Sequence, residues 1–182
     1  MRVFLAMLLA AVTLVACVSP PVVISTPTAV SAGSCLPAAR RAVELEIQRY
    51  QNWLQNENDP VQSTAYQERL RELNRLQQRL DSISPTDYHP ADFFNAIPQA
   101  ATGASASAAP IVLDEAWLDN GEPPQVHFPQ QTRSGPFYIV TGSIVDPLPE
   151  AEKRVRLTLQ PVLPQSYLFP SFYVCIIAVD EQ

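Results

Sequence analysis

Proline is the residue that most restricts how this chain folds. There are 18 prolines among 182 residues, about twice the usual share of ~5%. Proline lacks the amide donor that helix interiors and central strands need, so each one marks a first turn, a loop or a strand end. The composition is otherwise 47% hydrophobic and 16% charged, which argues against wholesale disorder. The prolines therefore delimit folded segments.

The chain begins with an apolar run, residues 3–16, that follows Arg2 and ends at a cysteine. The run is shorter than the ~20 apolar residues that cross a bilayer, which favours the core of a signal peptide. Its end, Leu14-Val15-Ala16-Cys17, resembles the lipobox of bacterial lipoproteins. The resemblance implies that residues 1–16 are removed and that Cys17 carries thioether-linked diacylglycerol, often with a further acyl chain such as palmitate.

The same resemblance predicts where the protein resides. Two or three acyl chains hold a protein stably at a membrane. Position 18 is Val, without the aspartate that retains many lipoproteins in the inner membrane. We expect the outer membrane in a bacterium that has one, and otherwise the outer face of the cytoplasmic membrane. Residues 18–34 read as a tether that reaches up to ~50 Å at ~3.1 Å per residue.

Composition divides the chain into five predicted parts. They are a signal peptide (1–16), a lipidated Pro/Ser/Thr-rich tether (17–34), a helical hairpin (35–84), a linker (85–110) and a β-rich domain (111–182). The linker is assigned because its second half is an Ala/Ser-rich stretch without periodicity. The predicted fold class is α+β, with an N-terminal antiparallel helical hairpin followed by a small antiparallel β-sheet or sandwich domain.

Residues 36–84 carry the hairpin prediction, because their apolar residues recur at helical spacing. The stripes are Val43, Ile47, Tyr50 and Leu54 in one helix, and Tyr66, Leu70, Leu73, Leu76, Leu80 and Ile83 in the other. Residues 56–63 break the pattern, and Thr64–Gln67 have the form of a capping box, which predicts that the second helix begins near Thr64. A short pair of this coiled-coil kind buries little by itself, so its stripes must also pack on the β domain or on a partner.

Beyond residue 110 the pattern is that of β-strands. The predicted strands are 111–113, 125–128, 137–145, 154–163 and 172–179. Val155, Leu157 and Leu159 alternate with polar residues, as expected of a strand with one solvated face. Because no helix separates the strands, we predict an antiparallel sheet, closed as a sandwich or packed on the hairpin.

Two cysteines remain once Cys17 is assigned to lipid, namely Cys35 and Cys175. An exported chain meets an oxidising environment, where such a pair forms a disulfide. We therefore predict a bridge from the last strand to the start of the first helix, with two free thiols or an intermolecular bridge through Cys35 as alternatives. The cysteines and histidines show no zinc-binding spacing, so no metal or other cofactor is predicted.

The net charge of the chain limits which kinds of partner it can bind. The net charge is -6, with a single lysine, which argues against nucleic acid because phosphate binding needs clustered positive charge. Arg71, Arg75 and Arg79, here called the arginine strip, lie at i, i+4 and i+8 on the second helix. The strip is either a solvated face partly paired with nearby acids or a docking site for an acidic surface, lipid headgroups or an anionic wall polymer. The nearby acids are Glu68, Glu72 and Asp81.

No catalytic signature is recognisable in the sequence. A nucleophilic triad would need His89 or His127, and no Gly-x-Ser-x-Gly pattern surrounds any serine. We predict a lipid-anchored cell-envelope protein without catalytic activity, with a structural or assembly role through an envelope protein partner. The alternative is a lipoprotein that binds a small ligand or a cell-wall polymer through aromatic residues of its β domain. These residues are Trp117, Tyr138, Tyr167 and Phe169.

Overall fold

A computed structural model describes residues 35–94, 108–119, 121–132, 135–165 and 171–180. Its elements are α1 (Leu36–Asn56), α2 (Pro60–Ser82), α3 (Pro90–Phe94), β1 (Ile111–Leu118), β2 (Gln125–His127), β3 (Phe137–Ser143), β4 (Val155–Pro164) and β5 (Ser171–Asp180). The predicted signal peptide, Cys17 and the tether lie outside the described residues. Among the helices that are described, none is long and apolar enough to span a membrane.

Both long helices begin at a proline-containing first turn, as proline's fixed backbone angle favours. In α2 the N-cap is Asp59, whose Oδ1 accepts the amide of Val61 at 2.8 Å, and Pro60 follows it directly. The predicted start near Thr64 is therefore wrong. Thr64 lies within α2, where its hydroxyl donates to the Pro60 carbonyl at 2.8 Å. An aspartate cap followed by proline was the stronger start signal.

The two long helices pack side by side and antiparallel. Near the start of α1, Arg40 donates from Nη2 to the carbonyl oxygen of Leu80, near the end of α2, at 2.8 Å. At the other end, the rings of Tyr50 and Tyr66 meet edge to face with centroids 5.8 Å apart. The first helix also contacts β3, β4 and β5, so α1 lies between α2 and the β domain.

The five described strands form a closed barrel in the order β1-β2-β3-β5-β4. The β3 and β5 strands run parallel, and the other neighbours are antiparallel. This is a Greek-key barrel with the strand order of the OB-fold type. The predicted antiparallel sheet or sandwich is therefore wrong, although the α+β class fits. Alternation of apolar residues predicts strands but not which strand lies beside which, and so it could not reveal the parallel pair.

A bulge in β1 allows this strand to pair with two neighbouring strands. Residues 111–116 pair with β4 and residues 117–118 pair with β2. The register shifts between Leu113 and Ala116, where Glu115 has a φ of 53°. A bulge bends a strand and increases its twist, which helps a short sheet to close. The barrel interior is filled by Ala116, Leu118, Val126, Tyr138, Val140, Val155, Leu157, Leu159, Val174 and Ile176.

A disulfide joins the hairpin to the barrel, which confirms the predicted Cys35–Cys175 pair. Both residues are 1% exposed, and their Cα atoms are 5.8 Å apart. Next to Cys175 in the ladder, Gly142 of β3 closely approaches α1. A Cβ at position 142 would lie 2.8 Å from the Cβ of Ala38. The apolar side of α1 therefore packs against the β domain of the same chain.

One charged side chain is buried where α1 meets the barrel. Glu46 is 1% exposed, and it accepts hydrogen bonds from the Tyr173 hydroxyl and from Arg49 Nη2, each at 2.6 Å. Burial raises the pKa of Glu46 above its ordinary value, although the charge of Arg49 opposes the shift. Burial, together with the neighbouring carboxylate of Glu46, also raises the pKa of Tyr173. The chain thus places a carboxyl group where its charged form is disfavoured.

This carboxyl group should lower the stability of the fold as the pH rises. Because the pKa of Glu46 is higher in the folded state, its stabilising contribution is complete below the unfolded value of 4.5. The contribution is lost as the pH rises through the folded pKa. We expect Glu46→Gln, which keeps an acceptor for Tyr173, to remove this decline in the free energy of unfolding. Urea denaturation at a series of pH values measures it.

The exposed Glu44, which pairs with Arg41 at the surface, offers a matched control for the titration. Glu44→Gln should leave the decline in place, because surface ion pairs contribute little. If the unfolding free energies of the parent chain and of Glu46→Gln run parallel across this pH range, the buried carboxyl is not the group responsible.

Candidate functional site

A pocket of about 560 Å³ opens on the outer surface of the barrel around β2. We call it the Trp117 pocket. It is lined by Trp117, His127, Phe128, Pro129, Gln131, Thr132 and Phe137. Aromatic and apolar walls with a few polar groups are typical of sites that bind small ligands. The β-bulge, the short β2 strand and the β2–β3 loop together shape this region.

Two neighbouring side chains contact the ring of Trp117 in the pocket wall. It lies directly across the β1–β2 ladder from His127, and the two rings stack with centroids 5.7 Å apart and planes 23° apart. The guanidinium carbon of Arg154 lies 5.3 Å from the centroid of the Trp117 ring. Cross-strand aromatic pairs and cation–π contacts both stabilise such an arrangement. The rings are only partly buried, so they form a preorganised contact surface.

Asp119 orients the imidazole ring of His127 through a hydrogen bond. Its Oδ2 lies 3.1 Å from His127 Nε2, and its Oδ1 accepts the amides of Gly121 at 3.0 Å and Gln125 at 2.8 Å. A carboxylate can only accept, so Nε2 carries the hydrogen, and in the neutral ring Nδ1 is the acceptor. The turn between β1 and β2 thus fixes the orientation of the imidazole.

The same contacts keep Asp119 ionised. Partial burial by itself would raise the pKa of Asp119, but the amide of Gln125 and the side chain of His127 outweigh it. The pKa therefore falls below its ordinary value. The histidine and aspartate side chains are each 35% exposed, so the pair lies at the surface and not in a sealed cavity. The negative charge of Asp119 and the positive charge of Arg154 therefore both border the pocket.

A histidine oriented by an aspartate is also two thirds of a nucleophilic triad. The third member must be a serine, cysteine or threonine within reach of the imidazole. Among the described residues that line the pocket, Thr132 has a hydroxyl group and none is a serine or a cysteine. The arrangement as described can donate and accept hydrogen bonds and can stack on a ligand.

A second depression, of about 300 Å³, adjoins the first. The two share Phe128 and Pro129 in their walls. Val112, Leu113, Asp114, Glu115 and Gln130 complete the second depression. Its carboxylates are paired with arginines, because Arg156 donates to Asp114. The two depressions therefore border one another across the start of the β2–β3 loop.

The structure separates the four aromatic residues that the sequence analysis grouped together. Trp117 lies in the pocket wall, whereas Tyr138 is 5% exposed and belongs to the barrel interior. Tyr167 and Phe169 lie outside the described residues. Sequence reasoning missed Asp119, although the Asp-Asn-Gly turn that precedes β2 was a detectable signal.

The predicted docking residues lie elsewhere in the molecule. Arg71, Arg75 and Arg79 are all exposed on α2. They contribute nothing to the walls of the Trp117 pocket. The site around β2 and the arginine strip are thus two separate surfaces.

No protein-family model, no curated protein and no solved structure matches this chain significantly. What the protein does must therefore be argued from the chemistry of its own surfaces.

Proposed function

We propose that this protein is a lipid-anchored cell-envelope protein that binds a segment of a cell-wall polymer, or a related small ligand, in the Trp117 pocket without catalysing a reaction. The observation that carries the proposal is the stack of Trp117 on His127, immobilised by Asp119. Rigid rings beside amide, hydroxyl and imidazole groups suit a sugar, which offers both an apolar face and hydroxyl groups.

Two further features support a polymeric ligand. The adjoining depression continues the contact surface across Phe128 and Pro129. The combined surface is longer than a single sugar. By fold-level analogy, OB-type barrels bind oligosaccharides or oligonucleotides on the face of β2 and β3. The net charge of -6 favours the first of these two classes.

The structural or assembly role inferred from the sequence stays a prediction with less support. That role was inferred from a hairpin with more apolar surface than its own core requires. In the described residues, α1 packs that surface against β3, β4 and β5 of the same chain. The lipid anchor at Cys17 remains a proposal that rests on the lipobox resemblance.

Binding can be followed through Trp117 itself. The chain has two tryptophans, so Trp53→Phe leaves Trp117 as the only reporter. We expect soluble glycan fragments of peptidoglycan to change its fluorescence saturably. In this background, His127→Ala should weaken binding about 10-fold or more, because it removes one wall of the pocket and a hydrogen-bonding group.

The other histidine of the chain provides the control. His89 is exposed and does not line the pocket, so His89→Ala should bind as the parent does. Equal affinity of the His127→Ala variant would contradict the proposed site. Absence of any glycan binding by the parent chain would contradict the proposed ligand class.

A further inference from the structure

Among the described elements, α2 is separated from the barrel by α1. It packs on α1, which in turn packs on the barrel. Of its residues, only Leu73, Leu76 and Leu80 are buried. The arginine strip lies on the remaining surface of α2, and each of its three side chains is exposed. Arg71 and Arg75 lie on the side of α2 that is turned away from these leucines, whereas Arg79 reaches Phe93 of α3, which packs on β4.

Two of the three acids expected to neutralise the strip are paired with other arginines. Glu72 accepts from Arg69 at 3.0 Å, and Asp81 lies 3.5 Å from Arg40. Glu68 is exposed one turn before Arg71. Over residues 60–82 there are four arginines and three acids, so α2 carries an excess of one positive charge on a protein that is negative as a whole.

The guanidinium groups of the strip are arranged to meet anions. The group of Arg79 lies over the ring of Phe93, 5.0 Å from its centroid, and stacking of this kind leaves the N–H groups at its edge available. Arg71 makes a long contact, 3.4 Å, with the carbonyl oxygen of Gln67 on its own helix. Three such groups at intervals of one helical turn span about 12 Å along α2.

The chain that leads to the lipid joins the hairpin at the same end as Arg79. Residues 17–34 precede Cys35, and α1 begins at Leu36. The start of α1 lies against the end of α2, as the hydrogen bond from Arg40 to Leu80 shows. The tether therefore reaches the folded part next to the C-terminal end of the strip.

We propose that the arginine strip rests on the anionic phospholipid headgroups of the bilayer that holds the lipid anchor. This inference depends on the lipid anchoring in the proposed function and is independent of the pocket. Guanidinium groups bind phosphate oxygens in a bidentate manner. Three of them attract a protein only weakly from solution, but a tethered protein is already at high local concentration. The strip thus orients the anchored protein.

That orientation has a consequence for the pocket. In the ring β1-β2-β3-β5-β4, β5 lies opposite β1 and β2. The hairpin packs on the β3, β4 and β5 side, whereas the Trp117 pocket opens around β2. With α2 on the membrane, the pocket points away from the bilayer, where a wall polymer would be met.

Photo-crosslinking of the mature chain in nanodiscs tests the contact. Cys17 is coupled to a maleimide-bearing lipid, which makes the experiment independent of natural lipidation. A photoreactive amino acid replaces Gln78 on the exposed surface of α2, or Val112, which is 57% exposed on β1. In discs containing phosphatidylglycerol we expect about 10-fold more lipid adduct at position 78 than at 112. The difference should vanish in phosphatidylcholine discs or at about 0.5 M salt.

Replacing the three arginines of the strip by glutamine should lower the yield of adduct at position 78 about 10-fold or more. Replacing them by lysine should retain most of it. A control with the same change of net charge alters Arg41, Lys153 and Arg156 to glutamine, all of them exposed and outside α2. Equal loss in this control would overturn the proposal. So would adducts at position 78 that do not depend on phosphatidylglycerol, or a strip that crosslinks to added peptidoglycan in place of lipid.

Discussion

Replacing both Cys35 and Cys175 by alanine should lower the free energy of unfolding by about 4–5 kcal/mol. The disulfide joins residues that are 140 positions apart in the sequence. Without it the unfolded chain gains conformational entropy, and the chain-entropy model gives a loss of stability of about this size. The melting temperature should fall by about 8–20 °C for a protein of this size. Guanidinium denaturation without reductant compares the variant with the parent.

Cys17 offers the control for this experiment. Cys17→Ala removes a thiol and leaves the bridge intact, so the unfolding free energy should remain within about 0.5 kcal/mol of the parent value. Adding reductant should lower the stability of the parent towards that of the double variant. A loss below about 1 kcal/mol in the double variant would mean that packing alone holds the hairpin on the barrel.

A methyl group at position 142 should also destabilise the fold, by about half as much. The Cβ of Gly142→Ala would lie 2.8 Å from the Cβ of Ala38 and 3.3 Å from its Cα. Ala38 is 2% exposed and belongs to α1. Its Cβ is attached directly to the helix backbone, so it cannot move aside as the end of a long side chain would. We expect a loss of about 2–3 kcal/mol from overpacking, measured by urea denaturation.

A double-mutant cycle identifies the clash as the cause. Ala38→Gly alone should cost about 1 kcal/mol of helix propensity. If the two methyl groups collide, adding Ala38→Gly to Gly142→Ala recovers stability, with a coupling energy of about 1–3 kcal/mol. Additive losses would indicate that position 142 is sensitive for another reason. Gly135→Ala, whose nearest contact is 3.2 Å in a loop, should cost less.

The two long helices were predictable because helical spacing is a local property, whereas α3 lies in the segment that was predicted to be a linker. The stripe of Val43, Ile47 and Tyr50 lies on the buried side of α1, as expected. The start of α2 was misplaced because Thr64 resembles a cap in sequence, whereas Asp59 makes the capping hydrogen bond. Two local signals competed, at Asp59 and at Thr64, and the one followed by proline prevailed.

Closure of the sheet was not predictable from alternation. The β4 strand alternates as expected over Val155, Leu157 and Leu159, all of which are buried. Nothing in that pattern shows that β3 lies beside β5 in parallel, because partners in a ladder are chosen by long-range packing. The bulge at Glu115, which divides β1 between β2 and β4, is equally invisible before the strands are paired.

The candidate site was predictable only in fragments. Trp117 was named as an aromatic of the β domain, and His127 was named only as a possible member of a catalytic triad. Their stacking depends on the register that sets them opposite each other. Asp119 was missed, because its contact with His127 forms only when the turn folds back and β2 pairs with β1.

By itself, the sequence determined the helical or strand character of the long segments and the two cysteines that form the bridge. These follow from local chemistry: where proline is tolerated, which spacing buries an apolar face, and which thiols remain for pairing. Only the tertiary structure decided that the barrel closes, that α1 packs on it through Gly142, and that the pocket and the arginine strip are separate surfaces. Those outcomes depend on contacts between residues far apart in the chain, whose partners no local pattern specifies.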